Sequence, residues 1–225
     1  MIRYLWVVAA RSRAPLLPLA VALFMLIGVF ADPRQSMGQV WGLSAVVCCA
    51  LAALLVGGVL SGEPAPQADM ATVAVGGRAR RNRLDLTLVA VTSIGLTVAW
   101  LAYPLVLTRF RPHLFTRPVQ LGDVVGAGLA LTVCTVLGGT LGVLFAPPRV
   151  SRRATAVAAT LAALIVLVAL SSELGWASGP VGVATALGDA AAGTVSVGEI
   201  AACLACLVLA GACVIAARAW TRRIA

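Results

Sequence analysis

The stretch Ser61–Asp85, SGEPAPQADMATVAVGGRARRNRLD, is the one long polar interruption in a sequence otherwise dominated by hydrocarbon side chains. Three carboxylates, a glutamine and the arginines Arg78, Arg80, Arg81 and Arg83 make it too polar for a bilayer interior, so the apolar runs on either side are separate spans. Clustered arginines stay on the cytoplasmic side, where the leaflet is anionic and translocation of cations is disfavoured; this orients both neighbouring spans. Just ahead of the arginines lies a short helix signal. Pro64 and Pro66 suit a helix start, Asp69 falls in the first turn, and Gly76-Gly77 supply a stop with cations beyond it. A helix offered to the cytoplasm in this way predicts a docking partner there.

The composition agrees with a membrane protein. The chain has 225 residues, of which 61% are hydrophobic and only 11% charged, and its mean hydropathy is +1.02. A soluble domain of this size does not carry such a balance. The net charge of +9 would point to nucleic acid in a soluble protein. Here the cations sit in loops and at the ends of apolar runs, so membrane orientation explains them and no nucleic-acid partner is expected. Every cation is arginine, as in proteins from GC-rich genomes. All six cysteines (Cys48, Cys49, Cys134, Cys203, Cys206, Cys213) lie inside apolar stretches, which makes them small packing residues rather than a disulfide framework. Cys203 and Cys206 form a C-x-x-C, but no histidine or carboxylate accompanies them, so neither a redox motif nor a metal site is expected.

The remaining runs give six spans in a single transmembrane domain, residues 1–225. Met1 to Arg13 reads as a helix lying on the membrane surface, with Ile2, Leu5 and Val8 on one side and Arg3, Arg11 and Arg13 on the other. Its arginines, the apolar run from Leu16 to Val29 and Val29-Phe30-Ala31 also imitate a secretory signal with a cleavage site. Removing that segment would leave five spans and opposed termini, so it is expected to stay. The first span covers Ala14 to Ala31, and the second lies between Arg34 and Glu63, with Trp41 near the surface. The third covers Leu86 to Thr108, with Trp100 and Tyr103 at its outer interface and Pro104 beside them as a possible bend. The outer loop after it holds His113, an ordinary solvated residue. The fourth span covers Val124 to Ala146, where Gly138-x-x-x-Gly142 is a plausible packing seam.

Arg149, Arg152 and Arg153 return the chain on the inner side. The fifth span runs from Ala154 to Ser171 and the last from Ile200 to Ala217. Between them residues 174–198 are too apolar for a simple loop and too broken by glycine for another span, so two short re-entrant or interfacial outer helices are expected. In this layout Arg34, Arg109, Arg111 and Arg117 are outside and every other arginine is inside, which makes both termini cytoplasmic.

The spans lack the chemistry of a self-powered machine. A coupled transporter or a membrane protease needs ionisable or nucleophilic groups near mid-bilayer. Asp32, Glu63, Asp85, Asp123, Glu173 and Glu199 all sit at span ends, and Asp69 and Asp189 lie in connections. There is no HExxH, no nucleophile motif and no Walker motif, so no catalytic, cofactor or metal residues are assigned. Energy for uphill movement would have to come from another protein.

With the stretch GEPAPQADMATVAVGGRARR between the second and third spans, the organisation resembles the membrane subunits of ABC-2 type exporters, and the stretch is similar to the coupling segments of small permeases from GC-rich bacteria. The resemblance covers nearly the whole chain. It implies an all-α fold of six transmembrane helices with an elbow helix at residues 1–13, a cytoplasmic coupling loop at 62–85 and an outer re-entrant region at 174–198. It further implies a bacterial inner-membrane protein paired with a second permease, identical or paralogous, and seated on two cytoplasmic ATPase subunits. ATP and magnesium would belong to those subunits. Gln67, Asp69, Met70, Thr72 and Val73 would rest in a groove of the ATPase, with Arg78, Arg80, Arg81 and Arg83 tethering the segment to lipid or partner. Uncharged spans suit an amphipathic cargo, a lipid, peptide or drug; no substrate-selective residue is implied. Two alternatives stay open: a non-transporting membrane scaffold or regulator that recruits a partner through the same loop, and a haem-exporter-like B subunit.

Overall fold

The computed structural model describes residues 16–29, 37–61, 76–110 and 121–145, together with Met70, Val73, Val119, Ala162 and Val208. The expected surface helix at residues 1–13, the fifth and sixth spans, the outer region 174–198 and His113 lie outside the described residues. Four helices make up the described part: α1 Leu16–Val29, α2 Met37–Ser61, α3 Arg78–Phe110 and α4 Leu121–Phe145. Three of them, over Val40–Ser61, Leu86–Phe110 and Val124–Phe145, are long and apolar enough to cross a membrane. α1, at 14 residues, falls short of the roughly 20 a crossing takes.

Close approaches at four glycines fix how the helices run. A Cβ on Gly138 of α4 would overlap the Cys49 carbonyl of α2, and one on Gly142 would meet Ala53 and Gly57, so the two helices run parallel. Gly128 faces Leu101 and Gly139 faces Val89, so α3 runs antiparallel to α4. α2 packs most extensively on α4; α3 adds to both, and α1 rests against α2.

The intimacy of α2 and α4 follows from residue size. Ala45, Cys49, Ala53 and Gly57 recur every fourth position on α2, and Gly126, Ala130, Cys134, Gly138 and Gly142 do so on α4. An i, i+4 row lies along one face of a helix, and a row of small residues lets two backbones approach until dispersion acts along their whole length. In hydrocarbon this contact replaces the hydrophobic drive that lipid tails cannot supply. Cys48, Cys49 and Cys134 are buried as thiols in the packing. Leu51, Leu131 and Val40 fill the space beside the seam.

The third span, expected over Leu86 to Thr108, is found over Leu86–Phe110. Its helix, α3, starts earlier, at Arg78, so the arginine cluster forms the first turns of a helix of 33 residues, about 50 Å long at 1.5 Å per residue. One sequence expectation needs correction. Trp100 was expected at an interface with lipid and water, yet it is 2% exposed, and Trp41 is 5% exposed. Both indoles pack in one core with Ala45, Leu96, Ala127 and Leu131, because helix packing encloses the face they occupy. The opposite face of α3, with Ile94, Val98 and Val106, is exposed and apolar, the composition lipid tails accept.

Candidate functional site

The sequence directs attention to the segment leading into α3. Of the five residues read as ATPase-coupling, Met70 and Val73 are described. Both have helical backbone and are 69% and 79% exposed. Gln67, Asp69 and Thr72 lie outside the described residues.

The glycine stop is realised as a turn. Gly76 donates its N–H to the Val73 carbonyl at 2.9 Å, and Gly76 and Gly77 take φ of 85° and 111°. Side chains with a Cβ rarely adopt such angles, which is why two glycines stand there. Arg81 then donates to the Gly77 carbonyl at 3.2 Å, starting α3. Thr87 donates to the Arg83 carbonyl at 2.8 Å one turn further on.

The arginines cluster around this turn. Arg80 lies over Gly76, where an added Cβ would come within 3.3 Å of its Nη1. Arg80 and Arg83 are exposed and Arg81 is half-buried; Arg78 contributes the first residue of α3. α3 carries no acidic residue in its first turn, so its cations stand at the positive end of the helix dipole. Such an arrangement is stabilised by anions from outside the helix, headgroup phosphates or the carboxylates of a docked protein.

Beyond this collar the apolar core is nearly free of charge. Val40–Ser61 and Val124–Phe145 contain no ionisable residue other than cysteine, and the only charge in Leu86–Phe110 is Arg109, in the last turn of α3. Polar groups within the bundle are hydroxyls and indoles. Thr97 of α3 and Thr135 of α4 lie 3.4 Å apart, oxygen to oxygen. Thr135 also donates to the Thr132 carbonyl at 3.0 Å, which leaves its oxygen to accept from Thr97. Among the described residues no three His, Cys, Asp or Glu side chains cluster.

The expected Gly138-x-x-x-Gly142 seam packs against the α2 backbone at Cys49, Ala53 and Gly57, a partner row that the sequence reading did not single out. The signal was present as four small residues at constant spacing, Ala45, Cys49, Ala53 and Gly57. No protein-family model matches the chain, and no curated protein or solved structure proves similar to it.

Proposed function

We propose that the chain is the membrane permease subunit of an ATP-driven exporter, moving an amphipathic molecule by alternating access under the power of separate cytoplasmic ATPases. The observation that carries this reading is the continuity of α3 from Arg78 to Phe110. A hydrogen-bonded helix transmits force along its axis, so a displacement of the segment ending at Gly77 is delivered through the arginine turns to the span itself. The two glycines form the turn between that segment and α3. Exposed Met70 and Val73 offer an apolar contact to a partner's groove, and the arginines hold the junction at the anionic headgroups. The rest of the proposal is the six-span layout with cytoplasmic termini, an elbow helix, outer helices between the last spans and a second permease beside the first.

The scarcity of charge in the core supports the same reading. A chain whose described spans carry no carboxylate and no histidine has no visible means of coupling to an ion gradient, whereas a driven gate needs none.

Purification from the native membrane tests it. A Walker-motif ATPase should accompany the chain, and replacing residues 69–75 by a flexible linker of equal length should abolish transport-coupled ATP hydrolysis. Coupling that survives the replacement sinks the proposed role of this segment. A co-purifying partner without nucleotide hydrolysis would favour the scaffold.

A further inference from the structure

Four buried polar atoms have no hydrogen-bond partner among the described residues: Trp41 Nε1 and Ser44 Oγ on α2, and Ser93 Oγ and Trp100 Nε1 on α3. Two indoles and two hydroxyls are strong donors, and a buried donor normally has an acceptor. Their arrangement is not scattered. Trp41, Ser44 and the thiol-bearing Cys48 follow one face of α2, and Ser93, Thr97 and Trp100 follow one face of α3.

The helix register aligns the two rows. Cys49 is level with Gly138 and Thr97 with Thr135. Thr135 stands three residues before Gly138, and Ser44 five before Cys49, about 4.5 and 7.5 Å along their axes. Ser44 therefore belongs near the level of the Thr97–Thr135 pair. Trp41 and Trp100 each lie one turn closer to the end of the bundle where α2 and α4 begin and α3 ends. Ser93 lies one turn deeper, toward the middle. Both indoles belong to one contiguous core.

We infer that Trp41, Ser44, Ser93 and Trp100, with the Thr97–Thr135 pair, line an internal hydrated site that admits water from that end of the bundle to the level of Ser93. Groups about one turn apart are spaced for single waters to bridge, and each water finds the two or more polar partners that hold it in an interior. With two donor-only indoles and no charged side chain, the lining selects neutral molecules with acceptor oxygens, water first. The inference stands apart from the exporter reading and holds for any function of the bundle.

Cysteine accessibility in liposomes, without any ATPase, tests it. Ser44→Cys and Ser93→Cys are near-isosteric, and methanethiosulfonate reagents attack a thiolate, which needs water around it. Site-resolved mass spectrometry should find both labelled at least about tenfold faster than Ile94→Cys and Val98→Cys, which face outward at the same depth. Equal or slower labelling overturns the site. Ser44→Ala and Ser93→Ala give a second measurement. Removing a hydroxyl that binds water should lower the folded-to-unfolded ratio by about fivefold. Unchanged or raised stability would mean dry orphan hydroxyls and would refute the hydrated site.

Discussion

Gly142 of α4 sits against Gly57 of α2 so that a Cβ added to Gly142 would lie 2.9 Å from the Gly57 nitrogen, while one added to Gly57 would come no nearer than 3.6 Å to the Gly142 carbonyl oxygen. The contact is therefore asymmetric. Gly142→Ala also drives a methyl to 2.6 Å from the Ala53 oxygen, and Gly138→Ala drives one into the Cys49 carbonyl, both rigid backbone.

Either substitution on α4 should cost about 1–3 kcal/mol, the usual penalty of overpacking a core that cannot yield. Gly57→Ala meets only ordinary contact and should stay neutral or gain up to about 1 kcal/mol from reduced backbone entropy. Unfolding of the three variants in mixed detergent micelles, followed by circular dichroism, gives the ranking. An equal loss at all three positions would show that the backbones are not in contact as described.

Gly139 differs in what its neighbour can do. A Cβ there would come within 2.8 Å of Val89 Cγ1 on α3, the end of a side chain rather than backbone. Gly139→Ala should be destabilising alone and largely rescued by Val89→Ala, with a coupling energy of about 1 kcal/mol or more in a double-mutant cycle. Additive losses would place the two residues apart.

Parts of this architecture were legible in the sequence, and the reason is hydropathy. The second and fourth spans were read to within a few residues because polar or charged residues bound apolar runs there, and Gly76-Gly77 marked a turn because only glycine tolerates its angles. The third span was read equally well from its apolar start at Leu86, while the earlier start of its helix stayed hidden because Arg78 to Asp85 are too polar for hydrocarbon, which says nothing against a helix emerging from it. Trp100 was misassigned because an amphipathic ring suits both an interface and a core, and only the neighbours decide. Orphan hydroxyls at Ser44 and Ser93 were invisible, since serine looks the same whether satisfied or not.

The Thr97 and Thr135 hydroxyls pair between α3 and α4, and at 3.4 Å the bond is long. Thr97→Val keeps the shape and removes the donor. The loss should be small, about 0.6 kcal/mol, in line with interhelical hydrogen bonds elsewhere in membranes. Thr135→Val should cost more, because it also removes the bond to the Thr132 carbonyl. A cycle over both positions, read by thermal unfolding in detergent, measures the interhelical part. A coupling of zero would mean that the hydroxyls do not pair.

The junction ahead of α3 makes the sharpest mechanical prediction. Alanine at position 77 would have to hold a φ of 111°, outside the region an L side chain adopts without strain, at a cost of about 1–3 kcal/mol. The turn would relax by unwinding the first residues of α3, which exposes Arg80, Arg81 and Arg83 to trypsin. If cleavage samples local opening, that cost converts to a rise in cleavage rate of about 5- to 150-fold. Gly95→Ala, on the same helix with nothing within 4 Å of its added methyl, should leave cleavage unchanged. In an assembled exporter the same pair should separate force transmission from folding: Gly77→Ala keeps the seam of α2 and α4 intact yet lowers transport per ATP hydrolysed, and Gly95→Ala does neither. Full transport from a chain whose arginine turns are cut readily by trypsin would show that α3 need not be continuous for the gate to work.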